Sequence, residues 1–130
     1  MGQQQLLIII LGVIVVGLAV YAVLGLFGTY HASHERDVII QRMNILVGEA
    51  KKYAAKPATL GGGDGSYLGF APPTKLSVTS DFHIFTTAGD NWVLFQGFGT
   101  TTGEDGRTPV EVIGQFDKTT DSWSSLTTVN

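Results

Sequence analysis

His31 and His34 stand three residues apart in "YHASHER", a spacing that sets two imidazoles on one helix face and so could seat a metal ion. Both lie where a long apolar run gives way to polar residues, and a solvated or interfacial pair is the plainer reading. His83 falls in the alternating stretch "FHIFTTA" and reads as a surface or cross-strand partner. The carboxylates offer no better site. "GGGDG" (61–65) and "GEDGR" (103–107) carry too few acids for a calcium loop, and the first lacks the Lys-Ser/Thr pair of a phosphate loop. No Ser, His and Asp set can be singled out. The chain contains no cysteine, which excludes a disulfide framework, a thiolate zinc site and thioether haem attachment. The expectation is a protein that is not an enzyme and holds no cofactor or metal.

What positions these residues is set by two unlike parts of the chain. Up to Lys56 there are five bases and three acids; from Pro57 onward there are three bases and eight acids. An acidic outer part lacks the basic face that nucleic acid requires, so no nucleic-acid partner is expected. Threonine is frequent in the second part; strand and turn formation is the plainer reading, and exposed clusters there could also carry O-linked sugars.

Residues 6–28 carry no charge and include sixteen Leu, Ile, Val and Phe. Twenty such residues span a bilayer as helix, and sixteen contribute roughly 5–10 kcal/mol toward insertion. Gln3, Gln4 and Gln5 stand where a secretory signal would have basic residues, and no A-x-A site follows, so the segment does not read as a cleaved signal. Beyond the polar residues 29–37, apolar side chains recur at Ile39, Met43, Leu46, Val47, Ala50 and Tyr53, the steps of three and four of a helix face. This face is predicted to pack the stalk on the head. His34, Glu35, Arg36, Gln41, Arg42, Asn44, Glu49, Lys51 and Lys52 fall mostly on the other face. With no proline before Pro57, one helix over residues 6–56 would run about 75 Å.

Pro57 ends that helix. A Gly- and Pro-rich wrap follows, in which Tyr67 and Phe70 act as anchors. The period then changes to two. Residues 82–88 and 91–98 flank Gly89-Asp90 as a hairpin, and residues 109–116 and 122–129 read as two further strands. "GTTTGEDGRT" and "DKTTD" read as turns. The predicted fold class is α+β: residues 1–56 a long helix, apolar then amphipathic, packed on a small antiparallel β-sheet head formed by residues 57–130.

A long helix of this kind below a small β-rich head resembles the type IV pilins and their relatives. Gly2 stands immediately before "QQQLLIII", where that family is cut by its prepilin peptidase. The family's short basic leader and early Glu have no counterpart here, and Gln5 or its neighbours would hydrogen-bond in place of the acid. The resemblance implies a filament subunit partnered by many copies of itself, by membrane lipid before assembly and by a pilus assembly machine. The precursor would cross the cytoplasmic membrane once, and the product would be an extracellular filament. The core-forming residues would be Leu6, Leu7, Ile10, Gly12, Ile14, Gly17, Ala19, Ala22, Gly25 and Phe27. Among these the small ones let backbones approach closely; local unwinding near Gly12 and Gly17, each weakening helix by about 1 kcal/mol, is compatible with that family. The stalk bases Arg36, Arg42, Lys51 and Lys52 would meet acidic heads of neighbouring copies. Two other readings stay open: a minor pseudopilin of a secretion or uptake machine, and a single-pass anchored ligand-binding domain.

Overall fold

The structure, a computed structural model, describes residues 2–129; Met1, and with it the start of any Met-Gly leader, and Asn130 lie outside the described residues. One helix, α1 (Gly2–Ala55), is followed by a 3-10 turn (Ala58–Leu60), a short helix α2 (Thr74–Ser77) and four strands: β1 (Phe82–Ala88), β2 (Trp92–Thr102), β3 (Pro109–Asp117) and β4 (Ser122–Thr128). The strands form one antiparallel sheet in the order β1-β2-β3-β4. The chain is therefore α+β, with a long N-terminal helix packed on a four-stranded sheet.

α1 runs unbroken through Gly12, Gly17 and the polar residues 29–37, about 80 Å at 1.5 Å per residue. Its C-terminal half is a building block of the head. Ile39, Met43, Leu46, Val47, Ala50 and Ala54 are buried in one cluster with Ile84, Val93, Phe95, Val110, Val112 and Phe116. Each fully buried Ile, Leu or Met contributes roughly 1.5–3 kcal/mol, and a sheet of this size needs such a helix to bury its apolar face. Inward Val110, Val112 and Phe116 alternate with half-exposed Glu111, Ile113 and Gln115 along β3. Two glycines of β2 allow the close approach of α1. A Cβ at Gly97 would lie 2.4 Å from Ile39 Cγ2, and one at Gly99 would lie 2.4 Å from Glu35 Oε2.

Tyr53 packs elsewhere than on the sheet. Its ring tilts against Phe70 and its hydroxyl donates to the Leu68 carbonyl at 3.0 Å, so it ties α1 to the wrap. Buried Tyr67 anchors the same wrap, and burial raises its phenol pKa, against the opposing pull of Lys51. "GGGDG" is the helix cap. The N–H groups of Gly63, Asp64 and Gly65 donate to the carbonyls of Tyr53, Lys56 and Ala54, satisfying groups that a helix end leaves unpaired. The start of the Gly- and Pro-rich wrap is thus a hydrogen-bonded C-cap.

β2 is longer than its apolar pattern. Residues 99–102, expected in a turn, continue the strand. Against β3 the register changes between Phe98↔Glu111 and Thr102↔Pro109, a bulge that frees backbone N–H groups of β2. The reason lies in α1, at Glu35.

Candidate functional site

Every residue from 2 to 31 is exposed, and Ala32 is the first helix residue covered by the head. The predicted core residues Leu6, Leu7, Ile10, Gly12, Ile14, Gly17, Ala19, Ala22, Gly25 and Phe27 all lie on this bare stretch, as does Gly2, within the first turn of α1. All are exposed, so burial in the head does not account for the apolarity of residues 6–28. α1 is long and apolar enough to cross a membrane and is compatible with anchoring there. Added Cβ atoms at Gly12, Gly17, Gly25 and Gly28 meet nothing within 4 Å; these positions are open notches along the rod. α1 has no acidic residue in its first turn, so no charge there offsets the partial positive charge of the helix end.

Where the bare stretch meets the head, Tyr30 stacks on His34 with ring centroids 6.5 Å apart and meets His31 edge-on at 6.3 Å. Among the described residues no three His, Cys, Asp or Glu side chains converge to hold a metal ion. The two histidines lie beside Glu35, Thr100 and Thr101 in a shallow cleft.

Glu35 is misplaced by the helical pattern: it is buried, not on the solvent face. Its carboxylate accepts from Thr100 N and Thr101 N, each at 2.9 Å, and from Thr100 Oγ1 at 3.2 Å. Those donors are the ones released by the bulge. A buried carboxylate persists only when so satisfied, and here it locks the lower end of β2 to the helix just above the bare stretch.

The stalk bases have partners within their own chain. Arg36 pairs with Glu104 at 3.1 Å, Lys51 with Asp121 at 2.7 Å and Lys52 with Glu49 at 2.8 Å, while Arg42 lies over the Phe82 ring. Arg36 and Lys51 meet acidic turns of the head that fold back onto the helix, Lys52 pairs along the helix itself, and Arg42 meets an aromatic face of β1. Such exposed pairs are each worth about 0–1 kcal/mol. Asn44, on the predicted polar face, accepts from Trp123 Nε1 at 3.1 Å, bringing β4 to the helix. The opposite face of the sheet carries Phe85 and Phe98 in edge contact, centroids 5.8 Å apart, with Phe85 largely exposed.

The loop joining β2 and β3 descends beside the bare stretch and shares a cleft with Gly25, Gly28, Thr29 and Ala32. Asp105 organises it, accepting from Thr108 Oγ1 at 2.6 Å and from the N–H groups of Arg107 and Thr108. The Thr108 hydroxyl first, then these N–H groups, hold the Asp105 carboxyl below the ordinary 3.8. Because the folded value lies below the unfolded one, the turn is favoured at all pH above the usual carboxylate range and loosens only as pH falls through the lowered value. Carboxyl-carbon NMR of Asp105 is expected to give a midpoint under 3.8, with faster Thr108 amide exchange below it. A midpoint at or above the ordinary value would mean that the turn is not held in solution.

Compared with protein-family models, curated proteins and solved structures, the chain finds no match in any of the three.

Proposed function

We propose that this chain is a structural subunit of an extracellular helical filament similar to type IV pilins, polymerising through the bare half of α1. The observation that carries the reading is the junction at Ala32: the same continuous helix is buried in the head above it and wholly uncovered below it. A helix apolar all round needs an apolar surrounding. Lipid supplies it first, with the chain crossing the cytoplasmic membrane once and the head outside. An assembly machine then draws the chain into the fibre, where the same segment of neighbouring copies replaces the lipid. That exchange is nearly neutral in apolarity, so close packing at the notches decides it. A head-to-tail contact that does not close on itself propagates as a helix. Adhesion, motility or surface attachment are the uses such a fibre serves.

Negative-stain microscopy of material sheared from the cells of origin tests this, with mass spectrometry of the fibres. Thin fibres containing this chain are the expected result. Short assemblies confined to the envelope would favour a pseudopilin of a secretion or uptake machine. Chain found wholly in the membrane fraction would favour a single-pass anchored binding domain and overturn the proposal.

A further inference from the structure

We propose that the β2–β3 loop is a second membrane contact: with α1 in the bilayer, the loop rests on the lipid headgroups and Arg107 binds a phospholipid phosphate. This rests on the membrane-inserted stage of the reading above and not on fibre formation.

Depth is the first argument. Residues 6–27 form about 33 Å of helix, against a hydrocarbon core of about 30 Å. With Leu6 at the inner boundary, the outer boundary falls near Gly25 to Gly28. Thr102, the last residue of β2, and Gly103 and Gly106 of the loop line a cleft with those same two glycines and Thr29, so the loop is held at headgroup level. Glu104 and Asp105 exclude it from the hydrocarbon, which makes the loop a stop on insertion as well as a contact. The Arg36–Glu104 pair and the Asp105 turn fix its position on the rod. Exposed Tyr30, at the same level, is the residue type that populates the headgroup layer.

Charge is the second argument. Glu104 is engaged by Arg36, and Asp105 by its own turn. The guanidinium of exposed Arg107 has no hydrogen-bond or ion-pair partner among the described residues. The loop therefore presents one uncommitted cation, whose planar fork matches phosphate oxygens.

The absence of cysteine allows single spin labels on the full chain, at Val15→Cys, Thr102→Cys or Asp90→Cys, in vesicles of phosphatidylethanolamine and phosphatidylglycerol. Collision rates with oxygen and with a water-soluble nickel complex give the depth of each label. Val15 is expected in hydrocarbon, Thr102 at the phosphates and Asp90, at the far end of the head, in water. Adding Arg107→Ala is expected to lower the occupancy of the Thr102 headgroup position about fivefold, the worth of one basic side chain at an anionic surface. A Thr102 label as wet as the Asp90 label, with Val15 in hydrocarbon, overturns the loop contact and leaves the membrane stage standing. Val15 in water overturns both. A Thr102 profile indifferent to Arg107→Ala overturns the assignment of the phosphate to Arg107.

Discussion

On the proposed filament role, replacing Gly12 by leucine is expected to leave synthesis and membrane insertion intact and to remove fibres. The chain's own fold has no objection to the change. A side chain at Gly12 meets nothing within 4 Å, leucine strengthens helix by up to about 1 kcal/mol over glycine, and it adds about half a kcal/mol toward insertion. Any loss must therefore arise between copies. Filling a notch against which a neighbouring helix packs costs about 1–3 kcal/mol in overpacking. At 1.4 kcal/mol per tenfold, that weakens each subunit contact by up to about a hundredfold, and every subunit in a helical polymer makes the contact twice. The yield of sheared fibres, set against the amount of chain in the membrane fraction, is the measurement. Ala22→Leu, on the same bare stretch, serves as the second variant. Normal fibres from both would place the packing face elsewhere on the rod, and an anchored domain would still insert and keep its head folded.

Glu35→Ala is expected to be the most damaging single change to the head. It removes three hydrogen bonds at once and strands the N–H groups of Thr100 and Thr101. Bonds to a charged group are worth about 1.5–3 kcal/mol each, and an unsatisfied buried donor costs about 1–3 kcal/mol. Water entering beside the shallow cleft offsets part of this, so a net loss of about 3 kcal/mol is expected. For a head of this size that lowers Tm by roughly 10–20 °C. Glu35→Gln should fall between, since its amide presents a donor where the carboxylate oxygen accepted. Thermal melting of the detergent-solubilised full chain, followed through strand circular dichroism, gives the shift. Amide exchange at Thr100 and Thr101 localises it. Unchanged melting and protection in Glu35→Ala would mean that water can serve these N–H groups as well as the carboxylate does.

The parts of this fold that were legible in the sequence are those governed by a single period. Ile39, Met43, Leu46, Val47 and Ala50 repeat at helical spacing, and each is buried against the sheet. The strand starts at Phe82, Pro109 and Ser122 follow from alternation and from the turn residues between them. Elements that depend on partners distant in sequence were not legible. Glu35 reads as a solvent-face acid because no local signal ties it to Thr100, 65 residues away. Residues 99–102 read as a turn because Gly and Thr commonly form turns. They are strand because a carboxylate from another element accepts the donors that their bulge releases. Arg36 and Lys51 looked free for a neighbouring copy, and their counter-charges lie on turns whose placement only the closed sheet determines.

By itself, the sequence determined that the chain has two solvent requirements, because hydrophobicity and charge are properties of residue type and need no fold to be read. A helix apolar around its whole circumference over residues 6–28 favours an apolar surrounding over water. Only the tertiary structure decided where that requirement ends. The sheet covers α1 from Ala32 upward, Glu35 pins the lower end of β2 there, and the β2–β3 loop descends beside Gly25 and Gly28. Covering one element with another is set by hydrogen bonds and packing between residues far apart in the chain, and no local pattern encodes their distance.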